Sequence, residues 1–324
     1  MNYNEFKERV EKVFKDKNSL PDELKTCEIS FETIYNTGRK LNSDKPADSM
    51  IFIHPDKELC PNVYIENLYD NYRKSNDFDD VISDTFEIVI NAFKDAESFD
   101  MSQIYDKNKI VFQLINTDKN KHILDSIPHR SFHDLSIIYK VVVNIDNDGI
   151  NSILVNEALM SMLDVNEEEL FELAKKNTKE LFPPKVCKLQ DELKRALAVE
   201  FDLSDDALED YFVDSDDNDS MWLISNNCCS KGACTILYPD VLHSLAESID
   251  SDLYILPSSV HEVIAVPILN NCDVDDLRKT VNLVNTNDVA EDEYLSDSVY
   301  VYSRVTGEIS LAADSGLGLG SYLS

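Results

Sequence analysis

The chain has 324 residues, 62 of them acidic and 30 basic, for a formal charge of −32. A surface that negative repels phosphate backbones and anionic lipid, which disfavours direct nucleic-acid binding and membrane binding. A chain this long buries a substantial core, as one large domain or two ordinary ones.

Phe6, Val10, Val13 and Phe14 recur at helical spacing, so an amphipathic helix opens the chain. That mixture of charge and apolar residues is unlike a signal peptide, and no apolar stretch reaches the ~20 residues that span a bilayer. A cytoplasmic location is expected. The seven cysteines are Cys27, Cys60, Cys187, Cys228, Cys229, Cys234 and Cys272, an odd number and mostly isolated, as reduced thiols are.

EISFETIYN (28–36) alternates like a strand, and MIFIHP (50–55) reads as a short buried one. Phe78, Ile82, Phe86, Val89, Ile90 and Phe93 mark a longer helix. KIVFQLI (109–115) and LSIIYKVVV (135–143) are rich in β-branched residues and read as strands. Asp148-Gly149 is a turn signal before SILV (152–155). Asn166 stands three residues before Glu169, a capping box ahead of a helix, and Leu189, Leu193 and Leu197 mark the next one. The acidic run 202–219 reads as an exposed linker. MWLIS and ACTILY then read as strands, followed by a helix through Val241, Leu245 and Ile249. LYIL and VIAV flank the junction 257–262, and a helix capped by Asp273 carries Val274, Leu277, Val281 and Val284. VYVYSRV and EISLA form a closing hairpin around Thr306-Gly307, before a mobile tail.

Strands and helices interleave without strict alternation, which indicates an α+β (mixed α/β) protein with mainly antiparallel or mixed sheets flanked by amphipathic helices. The expected organisation is an N-terminal α+β region (1–105) and a central strand–helix region (106–200). An acidic linker (201–220), a C-terminal α+β region (221–312) and a flexible tail (313–324) follow.

The junction PSSVHE places Ser258, Ser259, His261 and Glu262 together, a candidate Ser/His/Glu catalytic set. Nucleophilic catalysis needs a base within reach of the serine and an oxyanion hole, and no G-x-S-x-G elbow surrounds either serine. Zinc-protease chemistry needs a second histidine four residues after His261, where Ala265 stands. Ser259-Val-His-Glu262 instead matches a capping box around a single helical turn, which accounts for more of the pattern.

PHRSFHDLS (128–136) contributes His129, Arg130, His133 and Asp134 as ligand-binding candidates. The histidines are four apart, a metal spacing on a helix, but four residues of strand span ~13 Å. Arg130 suits a carboxylate or phosphate, or pairs with one of the many acids, and pairing is favoured. CCSKGAC (228–234) lacks C-x-x-C, so its cysteines read as small buried hydrophobes around a Lys231-Gly232 turn. DSDDND (214–219) has Asp219 and Ser225 where an EF-hand needs Gly and Glu. Gly316, Gly318 and Gly320 lack the strand and helix of a dinucleotide loop. No cofactor and no metal site is expected.

PNVYIENLYDNY (61–72), KNKHILDSIPHRSFHDLSIIYKVVV (119–143), ILVNEALMSMLDVNEEELFELAKKNT (153–178), ACTILYPDVLHSLAESIDSDLYILPSSVHEV (233–263) and LSDSVYVYSR (295–304) together resemble an uncharacterised bacterial family, the domain of unknown function numbered 5688. The blocks 153–178 and 233–267 are distantly similar to a second such family, numbered 1444. The resemblance implies a cytoplasmic α+β protein and carries no activity and no functional residue. The leading expectation is a non-enzymatic module that binds a protein or small ligand. The alternatives are a hydrolase or transferase using the 258–262 junction, with Arg130 holding an anionic group, and an acidic nucleic-acid mimic.

Overall fold

Asn2 starts the first helix because its side chain accepts the Glu5 amide while Glu5 bonds back to the Asn2 amide, which satisfies two donors of the first turn. Helix α1 (Tyr3–Lys15) then buries Phe6, Val10 and Phe14 along one stripe. The computed structural model describes residues 1–34, 47–57, 59–98, 100–146, 149–201, 220–268 and 273–312. The acidic run 202–219, the tail 313–324, Asp148 and Cys272 lie outside the described residues.

The chain forms two compact units, one ending at Met101 and one beginning at Ser102. In the first, β1 (Glu28–Ile34), β2 (Ala47–Ile53) and β3 (Asn62–Tyr64) make an antiparallel sheet, and α2 (Ile65–Ser75) and α3 (Phe78–Ser98) complete it. Phe6, Phe14, Met50, Phe52, Val89 and Phe93 meet in its core.

The second unit carries two sheets. In the smaller, β4 (Ile110–Asn116) lies along one side of the long strand β6 (Leu135–Asp146). After β4 comes the short helix α4 (Lys121–Leu124). β5 (His129–Phe132) and β7 (Gly149–Leu154) pair with β6 towards its two ends. Helices α5 (Glu157–Met162) and α6 (Glu167–Leu181) follow. The Asn166–Glu169 capping box starts α6 as the spacing predicts.

The larger sheet has the order β13-β12-β10-β11-β9-β8. Its strands are β8 (Pro184–Lys188), β9 (Trp222–Asn226), β10 (Leu253–Leu256), β11 (Val263–Pro267), β12 (Tyr300–Tyr302) and β13 (Ile309–Leu311). Three helices punctuate it: α7 (Leu189–Phe201), α8 (Val241–Ser248) and α9 (Val274–Asn287), the last capped by Asp273. Every pairing among the described strands is antiparallel, and the architecture is α+β. Among the described residues no helix is long and apolar enough to cross a membrane.

Two local expectations are corrected. ACTILY is not a strand: Gly232–Leu237 is a 3-10 helix with Ala233, Cys234, Thr235 and Ile236 all buried. Burial on every side, without two-residue alternation, overrides the β preference of Thr235 and Ile236. The span from His129 to His133, taken above as strand, is not strand throughout, since β5 ends at Phe132. His133 and Asp134 turn the chain between β5 and β6, pairing Phe132 with Leu135, and His133 takes the left-handed conformation at φ 56°.

Candidate functional site

The 257–262 junction is an extended loop strapped from outside, not a helical turn. Leu295 and Ser296 donate amides to the Ser258 and Pro257 carbonyls at 3.0 Å each, and Val260 donates to the Glu293 carbonyl at 2.8 Å. Ser259 and Tyr294 form a β-bridge within this strap. The residues that would close a helical turn are therefore spent on pairing, which overturns the capping-box reading. Ser259 does hold a backbone amide, but that of His261 two residues on, at 3.0 Å. The Glu262 carboxylate makes no hydrogen bond among the described residues, and burial raises its pKa despite His261 nearby.

His261 Nδ1 accepts the Lys231 amide at 3.4 Å, so Nε2 carries the proton and donates to Glu293 at 3.2 Å. Both ring nitrogens are thereby engaged away from the serines. The His261 carbonyl accepts from the Ser225 hydroxyl at 2.8 Å.

The second candidate group faces other partners. Arg130 forms a fork on Glu167 at 3.1 and 2.8 Å, reaches Glu168 at 2.7 Å, and lies 3.9 Å above the Phe171 ring. The bonds to Glu167 raise its pKa above the ordinary arginine value. Burial pushes the Glu167 carboxyl up, but the bonds from Arg130 and the Tyr139 hydroxyl outweigh it and hold it below the usual range. His129 Nδ1 bonds the Ile127 carbonyl, and His133 Nε2 bonds the Ile309 carbonyl. Asp134 accepts from Ser296 at 2.6 Å, Ser298 at 3.1 Å and the Tyr300 hydroxyl. Both junctions are thus fastened by the segment 293–300.

A cavity of about 90 Å³ lies beside the 257–262 junction and is lined by neither candidate group. Its floor is one face of the smaller sheet. Val111 pairs with Lys140, Gln113 with Ile138, and Lys140 with Leu154, so Gln113, Lys140 and Ser152 point to the same side on three adjacent strands. Thr178 and Phe182 at the end of α6 contribute a wall, and Asn226, Ser230, Lys231 and Cys234 the opposite one.

The 226–232 turn that delivers Lys231 is conformationally costly. Cys229 and Lys231 both adopt positive φ, 50° and 54°. The Asn226 side chain holds the turn by accepting the Cys228 and Ser230 amides and donating to the Ser230 carbonyl. His261 takes the Lys231 amide. Cys228 and Cys229 consequently lie exposed, which corrects their reading as buried hydrophobes, while Cys234 is buried.

The polar groups of the cavity are under-used. Gln113 is 3% exposed and its Nε2 has no hydrogen-bond partner. Neither Lys140 nor Lys231 has a side-chain hydrogen bond or ion pair among the described residues. Loss of hydration, then the charge of Lys231, lowers the Lys140 pKa to about 8. Burial also lowers that of Lys231, against the pull of Glu293 and Asp292. Burial pushes the Cys234 thiol up to about 12, which leaves it an inert thiol at neutral pH. Gln113 and Lys140 were visible as polar interruptions of KIVFQLI and LSIIYKVVV, and Lys231 was passed over as a turn residue.

Fold and site together define an α+β protein with a small cavity of mixed polar and apolar lining between two antiparallel sheets of one unit. The chain belongs to the family described as Family of unknown function (DUF5688), whose profile matches residues 3–304. No curated protein and no solved structure matches it.

Proposed function

We propose that the protein is a non-enzymatic module that binds a small ligand in the cavity floored by Gln113, Lys140 and Ser152. The observation that carries this reading is the Gln113 amide, a buried donor aimed at the cavity with nothing to donate to. A buried polar group left without a partner costs about 1–3 kcal/mol, and a ligand acceptor removes that cost. The hydrolase or transferase reading has less support, because the His261 ring bonds Lys231 and Glu293 instead of either serine. The free thiols Cys27 and Cys234 suit a reducing, cytoplasmic setting.

A thermal-shift screen of small metabolites on the full chain tests the proposal. Hits are expected, and Ser152→Phe, which fills the cavity from its floor, is expected to abolish them while circular dichroism stays unchanged. A screen without hits, or hits indifferent to the filled cavity, would sink the reading.

A further inference from the structure

The class of ligand follows from what the cavity offers. Its polar lining is rich in donors and poor in acceptors. The Asn226 side chain is committed to its own turn, and the Thr178 hydroxyl donates to the Ala174 carbonyl while accepting the Phe112 amide. What remains is the Gln113 amide, the two lysine ammonium groups and the hydroxyls of Ser152 and Ser230. No carboxylate lines the cavity. That is unexpected in a chain of charge −32, where lysines elsewhere find acids: Lys7 with Asp48, Lys179 with Asp240 and Lys185 with Glu192.

Two lysines line this one small cavity, both lowered by lost hydration and Lys140 further by the charge of Lys231, an arrangement that an anion relieves and a neutral ligand does not. Glu293 and Asp292 act on Lys231 from beyond ion-pair distance, and Glu293 is occupied by His261. At about 90 Å³ the space is smaller than the ~150 Å³ cavity that admits benzene, so it suits one compact group. Lysine binds such groups as a mobile point charge, without the planar geometry that arginine demands.

We infer that the cavity takes a compact oxyanion, the carboxylate or phosphoryl group of a small metabolite, held by Lys140, Lys231 and the Gln113 amide. This rests on the ligand-binding reading above and narrows it to one chemical class. His261 acts as a positioning residue, holding the amide of the left-handed Lys231 and so the lysine's entry into the site.

The test is a set of titrations of the full chain with inorganic phosphate, acetate and acetamide at constant ionic strength, followed by ¹H–¹⁵N NMR. Acetamide has the shape of acetate without its charge. Saturable shifts with phosphate or acetate and none with acetamide are expected, and the stronger of the two anions distinguishes a phosphoryl from a carboxylate ligand. Lys140→Met and Lys231→Gln are each expected to weaken anion binding at least tenfold, with dispersed spectra showing that both fold. Acetamide binding as well as acetate, anion binding unchanged in both variants, or no anion binding at all overturns the oxyanion class. The ligand-binding reading falls only if the metabolite screen is also empty.

Discussion

At the scale of single residues, the 257–262 junction divides into one side chain that supports the backbone, one that braces a neighbour and one that strains its surroundings. Ser259 is 6% exposed, and its hydroxyl takes the His261 amide. Ser259→Ala leaves that amide without its acceptor and is expected to cost about 1 kcal/mol in urea denaturation followed by the single tryptophan, Trp222. Glu262 behaves in the opposite way. Its folded pKa is raised, so the native state binds the proton more tightly than the unfolded chain. Native stability therefore declines as pH rises from the unfolded carboxylate value through the folded one, and above that window the charged form is an uncompensated burden. Glu262→Gln is expected to stabilise the protein at pH 7 and to make little difference at pH 4. A variant less stable than wild type at pH 7 would show that Glu262 has a cationic partner after all.

At the scale of elements, the turn that carries Lys231 depends on a residue without a side chain. A Cβ on Gly232 would stand 2.3 Å from the Ser225 hydroxyl, 2.6 Å from the Asn226 nitrogen and 2.7 Å from the His261 carbonyl oxygen. Two of those atoms are backbone, so the turn, β9 and the junction would have to separate. Gly232→Ala is expected to cost at least the 1–3 kcal/mol typical of overpacking, and to weaken ligand binding further by displacing Lys231. A variant with wild-type stability would refute the close packing of these three segments. The same turn shows where sequence reasoning stops. Helices α1, α3, α6 and α9 were legible because their stripes and caps are local: Phe6 to Phe14, Phe78 to Phe93, Asn166 with Glu169, and Asp273. ACTILY was not, because its 3-10 form is set by burial on all sides, which no neighbour in sequence encodes. The 257–262 junction was not, because its strap comes from residues 293–296, more than thirty positions on. The cavity was half legible. Gln113 and Lys140 broke apolar runs conspicuously, but only the pairing of Val111 with Lys140 puts them on one face.

At the scale of the whole molecule, Lys140 titrates against a background of the opposite tendency. A chain with 62 acidic and 30 basic residues gains negative charge as its other lysines and tyrosines deprotonate, and self-repulsion then lowers stability as pH rises. Lys140 works the other way. Its folded pKa of about 8 lies below the ordinary unfolded value of ~10.4, so between those limits the unfolded chain holds a proton that the native state has released. Its contribution to stability therefore increases across that window. Below about pH 8 the protonated lysine carries its desolvation penalty, about 3 kcal/mol for a shift of this size. The contribution is isolated by comparing wild type with Lys140→Met at each pH, since both share the same background. Lys140→Met is expected to be more stable than wild type at pH 7, with the gain shrinking towards zero by about pH 10.5. A saturating oxyanion should erase most of the gain at pH 7, because the bound charge compensates the lysine that the variant lacks. A gain that is independent of pH, or of the anion, would place the Lys140 ammonium in solvent and remove it from the cavity.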